Sequence, residues 1–375
     1  MSKKRSIIVG GGVVGLSIAY ELSRRKWDVT LFEKGVTGEQ ASWAGAGIFP
    51  PANPATAIHP IEHLEALSNE LHPQWALRLK QETGIDPQFS VCGGIYLART
   101  NGEKAALTGQ QLYWDERQIP YERLTANRLR ELVPPMDSNP LWQAFYLPTE
   151  SQHHNPSHLQ ALKSACLKSG VQIFEQQPDL HLVADGLNIR HVAVDGISHS
   201  ADRYCIACGP WTEAFVKPLG LVLPMTPVRG QMAVFKLPQQ QFVPVVSEGS
   251  RYLVPRADGH VLVGATIDEV GFNQAVEPSD IDELAAWAGA LMPVLQRDLL
   301  KKTWAGLRPG TFDGFPYLGR VASNSNAFIA TGHFKAGLHL SPATAVVLAD
   351  LMEDQTPRID LTPFSPTRMK PLNSQ

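Results

Sequence analysis

The chain has 375 residues, 43% of them apolar and 18% charged, with a formal net charge of −3. That length holds two domains and a sizeable core, and the composition excludes a disordered or fibrous chain. The slightly acidic balance excludes an electrostatic nucleic-acid binder, which would carry a basic face.

The predicted elements begin with a buried strand over 6–9, followed by VGGGVVG from Val9 to Gly15. A helix over 13–25 follows, with Leu16, Ala19 and Leu22 at helical spacing and positive charge at its end. A second strand over 29–32 is closed by Glu33, completing a βαβ unit. Basic Lys3, Lys4 and Arg5 before an apolar stretch imitate a secretion signal, but the glycines break the stretch well short of the roughly 20 residues of a membrane span. A cytoplasmic location with no membrane partner is therefore expected.

Further on, a Gly/Ala/Pro-rich loop (ASWAGAGIFPPANP) leads to a helix over 61–82 that Pro73 should interrupt. Ser90–Arg99 reads as a strand or hairpin arm, Ser157–Ser169 as a helix, and Val171–Phe174 and RYCIACG as strands. Arg229–Leu237 alternates as a strand does, and Arg251–Thr266 reads as a hairpin turning at Asp258-Gly259. PSDIDELAAWAGAL starts a helix with Ser279 and Asp282 as its capping pair; FIATG is a short strand, and a last helix runs through TAVVLADLM. Alternating β and α elements at both ends and in the middle enclose strand-rich pieces. The expected fold is α/β: a discontinuous Rossmann-type domain (1–84, 148–222, 305–375) with a mainly antiparallel substrate domain (85–147, 223–304) inserted into it.

Gly10-x-Gly12-x-x-Gly15 sits between strand and helix. The first glycine permits the turn, the second lets backbone approach a diphosphate, and the third lets helix and strand pack closely. The helix start offers amides to the phosphates, and Glu33 stands where a carboxylate accepts ribose hydroxyls and repels a 2′-phosphate. The motif alone leaves NAD and FAD open. Cys205 and Cys208 form a C-x-x-C but read as strand residues. His153, His154 and His158 lie in a polar loop without an acidic partner, so no metal is expected.

Three longer stretches decide for flavin. KGVTGEQASWAGAGIFPP, WAGLRPGTFDGFPYLGR with TGHFKAGLHLSPATA, and YLVPRADGHVLVGAT together resemble the D-amino-acid oxidase superfamily, and within it the bacterial glycine oxidase branch of thiamine thiazole synthesis. The resemblance runs from Ser6 to about Leu351. It implies an FAD-binding domain with an inserted sheet domain. It also implies cofactor contacts from Gly10, Gly12, Val13, Val14 and Gly15, from Glu33 and Lys34, and from Ala41, Ser42, Ala46, Gly47 and Ile48. Asp179 would make a main-chain contact to adenine. His333, Phe334, Lys335, Ala336, Gly337, Leu338 and His339 would wrap the pyrimidine edge of the ring. Cys205 and Cys208 do not match a covalent attachment site, so the FAD should be non-covalent.

On the substrate side the resemblance implies that Arg308 holds the amino-acid carboxylate and that Tyr252 adds a hydroxyl to it. The alternative for Arg308 is a structural pair with Asp313, and for Tyr252 a core aromatic. Lys335 stands where the branch has an arginine, and Ser250 where it has a histidine; these departures put strict preference for glycine in question. Lys335 is either a third active-site residue or a solvated lysine. The implied reaction is hydride transfer from glycine or a small relative such as sarcosine or D-alanine to flavin N5. It gives a 2-oxo acid, ammonia and, with oxygen as acceptor, hydrogen peroxide. The competing readings are a dehydrogenase of the same fold that feeds a quinone or another carrier, a flavoprotein domain of a larger assembly, and a non-catalytic dinucleotide-binding module. A homo-oligomer is left open.

Overall fold

The strand Arg5–Val9 (β1) is central to everything that follows. It pairs in parallel with Asp28–Phe32 (β2) on one side and with Arg203–Ile206 on the other. Helix Val13–Arg24 (α1) crosses between β1 and β2. Both faces of the central strands are covered, which explains their unbroken apolar runs. The full order of this six-stranded sheet is Tyr317–Arg320, Ala327–Thr331, Arg203–Ile206, β1, β2, Gln172–Phe174, parallel throughout except at the Tyr317–Arg320 edge. In this computed structural model residues 3–137 and 139–369 are described; the expected domain ends at 1–2 and 370–375 lie outside them.

Four helices cover one face: α1, Pro60–Thr83, Asn155–Lys168 and Gly337–Met352, packed through Leu16, Leu64, Leu162 and Leu348. The helix over 60–83 is continuous through Pro73, contrary to the expected interruption. Leu71, Trp75 and Leu79 are buried on either side of the proline, and this packing outweighs the one lost amide bond. A three-stranded sheet, His181–Asp185, Asn188–Val194 and Ile197–His199, covers the opposite face.

The second large sheet has eight strands in the order Leu300–Thr311, Met225–Lys236, His260–Gly264, Arg251–Pro255, Val245–Glu248, Gly94–Ala98, Gln143–Leu147, Glu122–Arg123. All its pairings are antiparallel except Val245–Glu248 with Gly94–Ala98. The expected segment boundary at 304/305 falls inside the strand Leu300–Thr311, which stays in this sheet to its end. The hairpin forms as expected: Gly259 N donates to Arg256 O, and Gly259 adopts φ +90°, a three-residue loop with glycine in the left-handed position. Met225–Lys236 is buried at consecutive positions from Val228 to Ala233 rather than alternately. One face meets the helix Pro278–Leu291, and the other faces the first domain. That helix starts after Glu277 with Pro278 in its first position; Ser279 and Asp282 lie inside it and do not cap it.

His153 and His158 are not in a polar loop. With His72 they form a buried cluster against Phe49, and His72 Nδ1 lies 3.1 Å from His153 Nε2. Among the described residues neither ring nitrogen of His158 has a hydrogen-bond partner. Burial drives all three imidazoles towards the neutral form, His158 down to about 4. An unfolded histidine takes up its proton near about 6.5. Between about 6.5 and about 4 the unfolded chain therefore binds more protons, and stability falls as pH falls. His158→Phe should be near neutral at pH 7.5 and stabilising by about 2 kcal/mol relative to the parent at about pH 5, as measured by urea unfolding.

Candidate active site

A cavity of about 1040 Å³ lies between the two large sheets. One end is the turn from β1 into α1. A Cβ on Gly10, which has φ +104°, would sit 2.4 Å from the Ala207 carbonyl oxygen, and one on Gly15 would sit 1.9 Å from the Gly10 carbonyl oxygen. Strand, turn and helix are thus in backbone contact. Gly15 serves that packing and does not line the cavity, whereas Gly10, Gly12, Val13 and Val14 do. The start of a 12-residue helix favours a diphosphate there through its amides and dipole. Ser42 Oγ accepts from Val13 N at 2.9 Å. Glu33 is pinned at the end of β2, accepting from Gly11 N (2.6 Å) and Gly35 N (2.8 Å), and it lines the cavity beside Lys34.

The segment Ala41–Ile48 forms the next wall and is held through its carbonyl groups. Asn155 Nδ2 donates to Ser42 O and Gly45 O, Trp304 Nε1 to Ala44 O, and Arg256 to Ala46 O at 2.8 Å. Arg256 also reaches His153 O at 2.7 Å; among the described residues no carboxylate pairs with it, and burial lowers its guanidinium to about 10. Sequence reasoning missed Asn155, Trp304 and Arg256, whose signals lie only in tertiary contacts. Cys208 lines the cavity, Cys205 is enclosed in its strand, and both thiols are free. Asp179 is exposed and outside the lining; its neighbours Pro178, Leu180, His181 and Leu182 line the cavity instead.

At the far end, His333 to His339 line the cavity where the helix Gly337–Met352 begins. His333 Nε2 lies 3.0 Å from Thr344 Oγ1, and His339 Nε2 lies 2.7 Å from Asn69 Oδ1. Burial lowers these histidines to about 4 and about 3, so both are neutral at pH 7. Positive potential here comes from the helix start and from Lys335. Partial desolvation and the neighbouring Arg308 lower the Lys335 ammonium, which places the two cations near each other.

Arg308 and Tyr252 come from the second sheet. Tyr252 pairs across the sheet with Gly264, Gly264 with Met232, and Gly306 with Gly230. A Cβ on Gly230 would lie 2.1 Å from Arg308 Nη2, and one on Gly264 would lie 2.8 Å from the Tyr252 ring. Both side chains therefore rest directly on strand backbone. Arg308 Nη1 donates to Thr266 O (3.0 Å) and Arg229 O (3.4 Å), both uncharged acceptors. The alternative partner, Asp313, is taken by Arg368 at 2.7 and 2.9 Å. Among the described residues no carboxylate pairs with Arg308. Burial lowers its guanidinium and raises the Tyr252 phenol, and the two side chains are within hydrogen-bonding reach of each other. Ser250 and Glu65 also line the cavity; burial, with the charge of Glu62, raises the Glu65 carboxyl to about 7.

Residues 5–351 match the family described as FAD dependent oxidoreductase. The chain belongs to that family. It is 33% identical over 364 residues to the glycine oxidase of Pseudomonas aeruginosa, covering 97% of this chain and 98% of that one. It is 30% identical to the bifunctional protein ThiO/ThiG of a Synechocystis strain, covering 96% of this chain and 53% of that one. The crystal structure of glycine oxidase from Geobacillus kaustophilus superposes with a TM-score of 0.91 at 32% identity, covering 98% of this chain and all of that one.

The cofactor is FAD, and the cavity fits it. Backbone brought close by Gly10 and Gly15 would take the diphosphate, Glu33 the adenosine ribose, and the helix start at Gly337 the ring, which gains negative charge on reduction. Gly10→Ala should push the turn off Ala207 and weaken FAD binding roughly a hundredfold, read from the flavin content of the purified protein and from FAD titration.

Proposed function

We propose that this FAD-dependent oxidoreductase oxidises glycine or a small relative such as sarcosine or D-alanine, with oxygen as the acceptor. The observation that carries this reading is the Arg308 guanidinium. It is half-buried in the cavity beside Tyr252, donates to two backbone carbonyls, and pairs with no carboxylate among the described residues. An unpaired guanidinium in such a place is matched by a carboxylate, which it grips with two parallel hydrogen bonds. Tyr252, kept as a neutral phenol by burial, adds a donor to the same group.

FAD, when bound, supplies the hydride acceptor. The chain orients the substrate. Arg308 and Tyr252 fix its carboxylate, and the floor of Gly230 and Met232 limits the bulk that can lie beside it. The amine reacts in its neutral form, so positioning and electrostatics suffice without an essential acid or base. For glycine the balance is glycine, oxygen and water giving glyoxylate, ammonia and hydrogen peroxide. Lys335, on the open side, presents the second positive charge facing this chemistry. The similarity to glycine oxidases and to a ThiO/ThiG protein supports the amino-acid reading, and with it a place in thiamine thiazole synthesis.

Arg308→Ala should retain FAD and raise KM for glycine about 100-fold, equivalent to about 2.7 kcal/mol. Arg308→Lys should recover only part of this loss, because it lacks the two-pronged grip. An oxygen electrode and a peroxide assay should show one oxygen consumed per glyoxylate formed. A change in KM of less than threefold in Arg308→Ala would end the carboxylate-site reading, and turnover that needs an added quinone would end the oxidase reading.

A further inference from the structure

We infer that Asp268 is a positioning residue for Arg308, fixing the two backbone carbonyls that aim its guanidinium into the cavity. The inference rests on the carboxylate-binding reading of Arg308 above. Arg308 Nη1 donates to the carbonyls of Thr266 and Arg229. Regular pairing does not hold the first of these, because the strand His260–Gly264 ends two residues before Thr266. The chain returns to Met225–Lys236 through one isolated bridge, with Arg229 N donating to Asp268 O (2.8 Å) and Asp268 N to Arg229 O (3.0 Å).

The Asp268 side chain closes this connection. Its Oδ2 accepts from Thr266 Oγ1 at 2.7 Å, from Gln231 Nε2 at 3.3 Å and from Arg229 Nε at 3.4 Å. Thr266 Oγ1 in turn accepts from Gln231 N at 3.1 Å, and Arg229 Nη1 is tied to Ala275 O at 2.8 Å. One carboxylate oxygen thus gathers three side chains around the two carbonyls that Arg308 uses. Hydrogen bonds to a charged acceptor are about twice as strong as neutral ones, so this oxygen sets the local geometry. Its negative charge also favours the charged form of Arg308. Asp268 does not line the cavity and would not touch substrate, which separates its role from that of Arg308.

The test uses the FAD-loaded enzyme and acetate, a carboxylate without an amine, with binding read from the change in flavin absorbance. Asp268→Ala should weaken acetate binding and raise KM for glycine by the same factor, about tenfold, with kcat within about twofold. Asp268→Asn, which keeps an oxygen acceptor, should lose about threefold. In an Arg308→Ala background, Asp268→Ala should have no further effect on acetate, because a positioning residue acts only through the group it positions. If Asp268→Ala does not yield folded holoenzyme, Asp268→Asn and Thr266→Val carry the test. Acetate affinity within twofold of the parent in both would overturn the inference, as would an Asp268→Ala loss that is the same with and without Arg308. Arg308→Ala that leaves acetate affinity unchanged would instead overturn the carboxylate-site reading on which the inference rests.

Discussion

A guanidinium without a paired carboxylate in a half-buried cavity is costly, because burial removes water from a charge and a few neutral hydrogen-bond partners replace it only in part. Arg308 is held in that condition by its surroundings. Two backbone carbonyls accept from it, Gly230 leaves the space it occupies, and the nearby acid Asp313 is occupied by Arg368. Its neighbours Tyr252 and Lys335 offer no negative charge, and Asp268, outside the cavity lining, favours its charged form without pairing with it. The arrangement favours an anion that arrives from outside.

The two large sheets divide the work accordingly. The parallel sheet ends in the Gly10–Gly15 turn and the helix start at Gly337, whose backbone amides and helix dipoles suit a cofactor with a diphosphate and a ring that gains negative charge on reduction. The eight-stranded sheet supplies Arg308 and Tyr252, the side chains proposed to face the substrate. Between them the segment Ala41–Ile48 is gripped through its carbonyls by residues from both: Asn155 on the first side, Arg256 and Trp304 on the second. Cofactor wall and substrate wall are thereby fixed relative to one another, which transfer between two bound molecules requires.

The parts legible in the sequence are those governed by local rules. β1, α1 and β2 were legible because a parallel strand buried on both faces reads as an apolar run and because the glycine spacing marks a turn in which Gly15 packs on the Gly10 carbonyl five residues before it. The hairpin at 251–266 was legible from Asp258-Gly259, and the family resemblance picked out Arg308, Tyr252 and Lys335, which all line the cavity. What escaped depends on distant contacts. Gly230 and Gly264 matter because of side chains on neighbouring strands, and Arg256 because its guanidinium crosses to Ala46. His153 and His158 looked polar and exposed but pack beneath Phe49, and Pro73 sits in a helix whose burial overrides it. The cap at Glu277 had a local signal, Pro278 in first position, which competed with a more familiar pattern one residue on.

The central claim is that carboxylate capture by Arg308 is what presents an amine to the flavin. Anaerobic mixing of the FAD-loaded protein with glycine and, separately, with methylamine tests it most directly, with flavin absorbance followed near roughly 450 nm. Bleaching by glycine and none by methylamine at the same concentration is the expected result. Equal bleaching by both, or bleaching by neither glycine nor its small relatives, would contradict it.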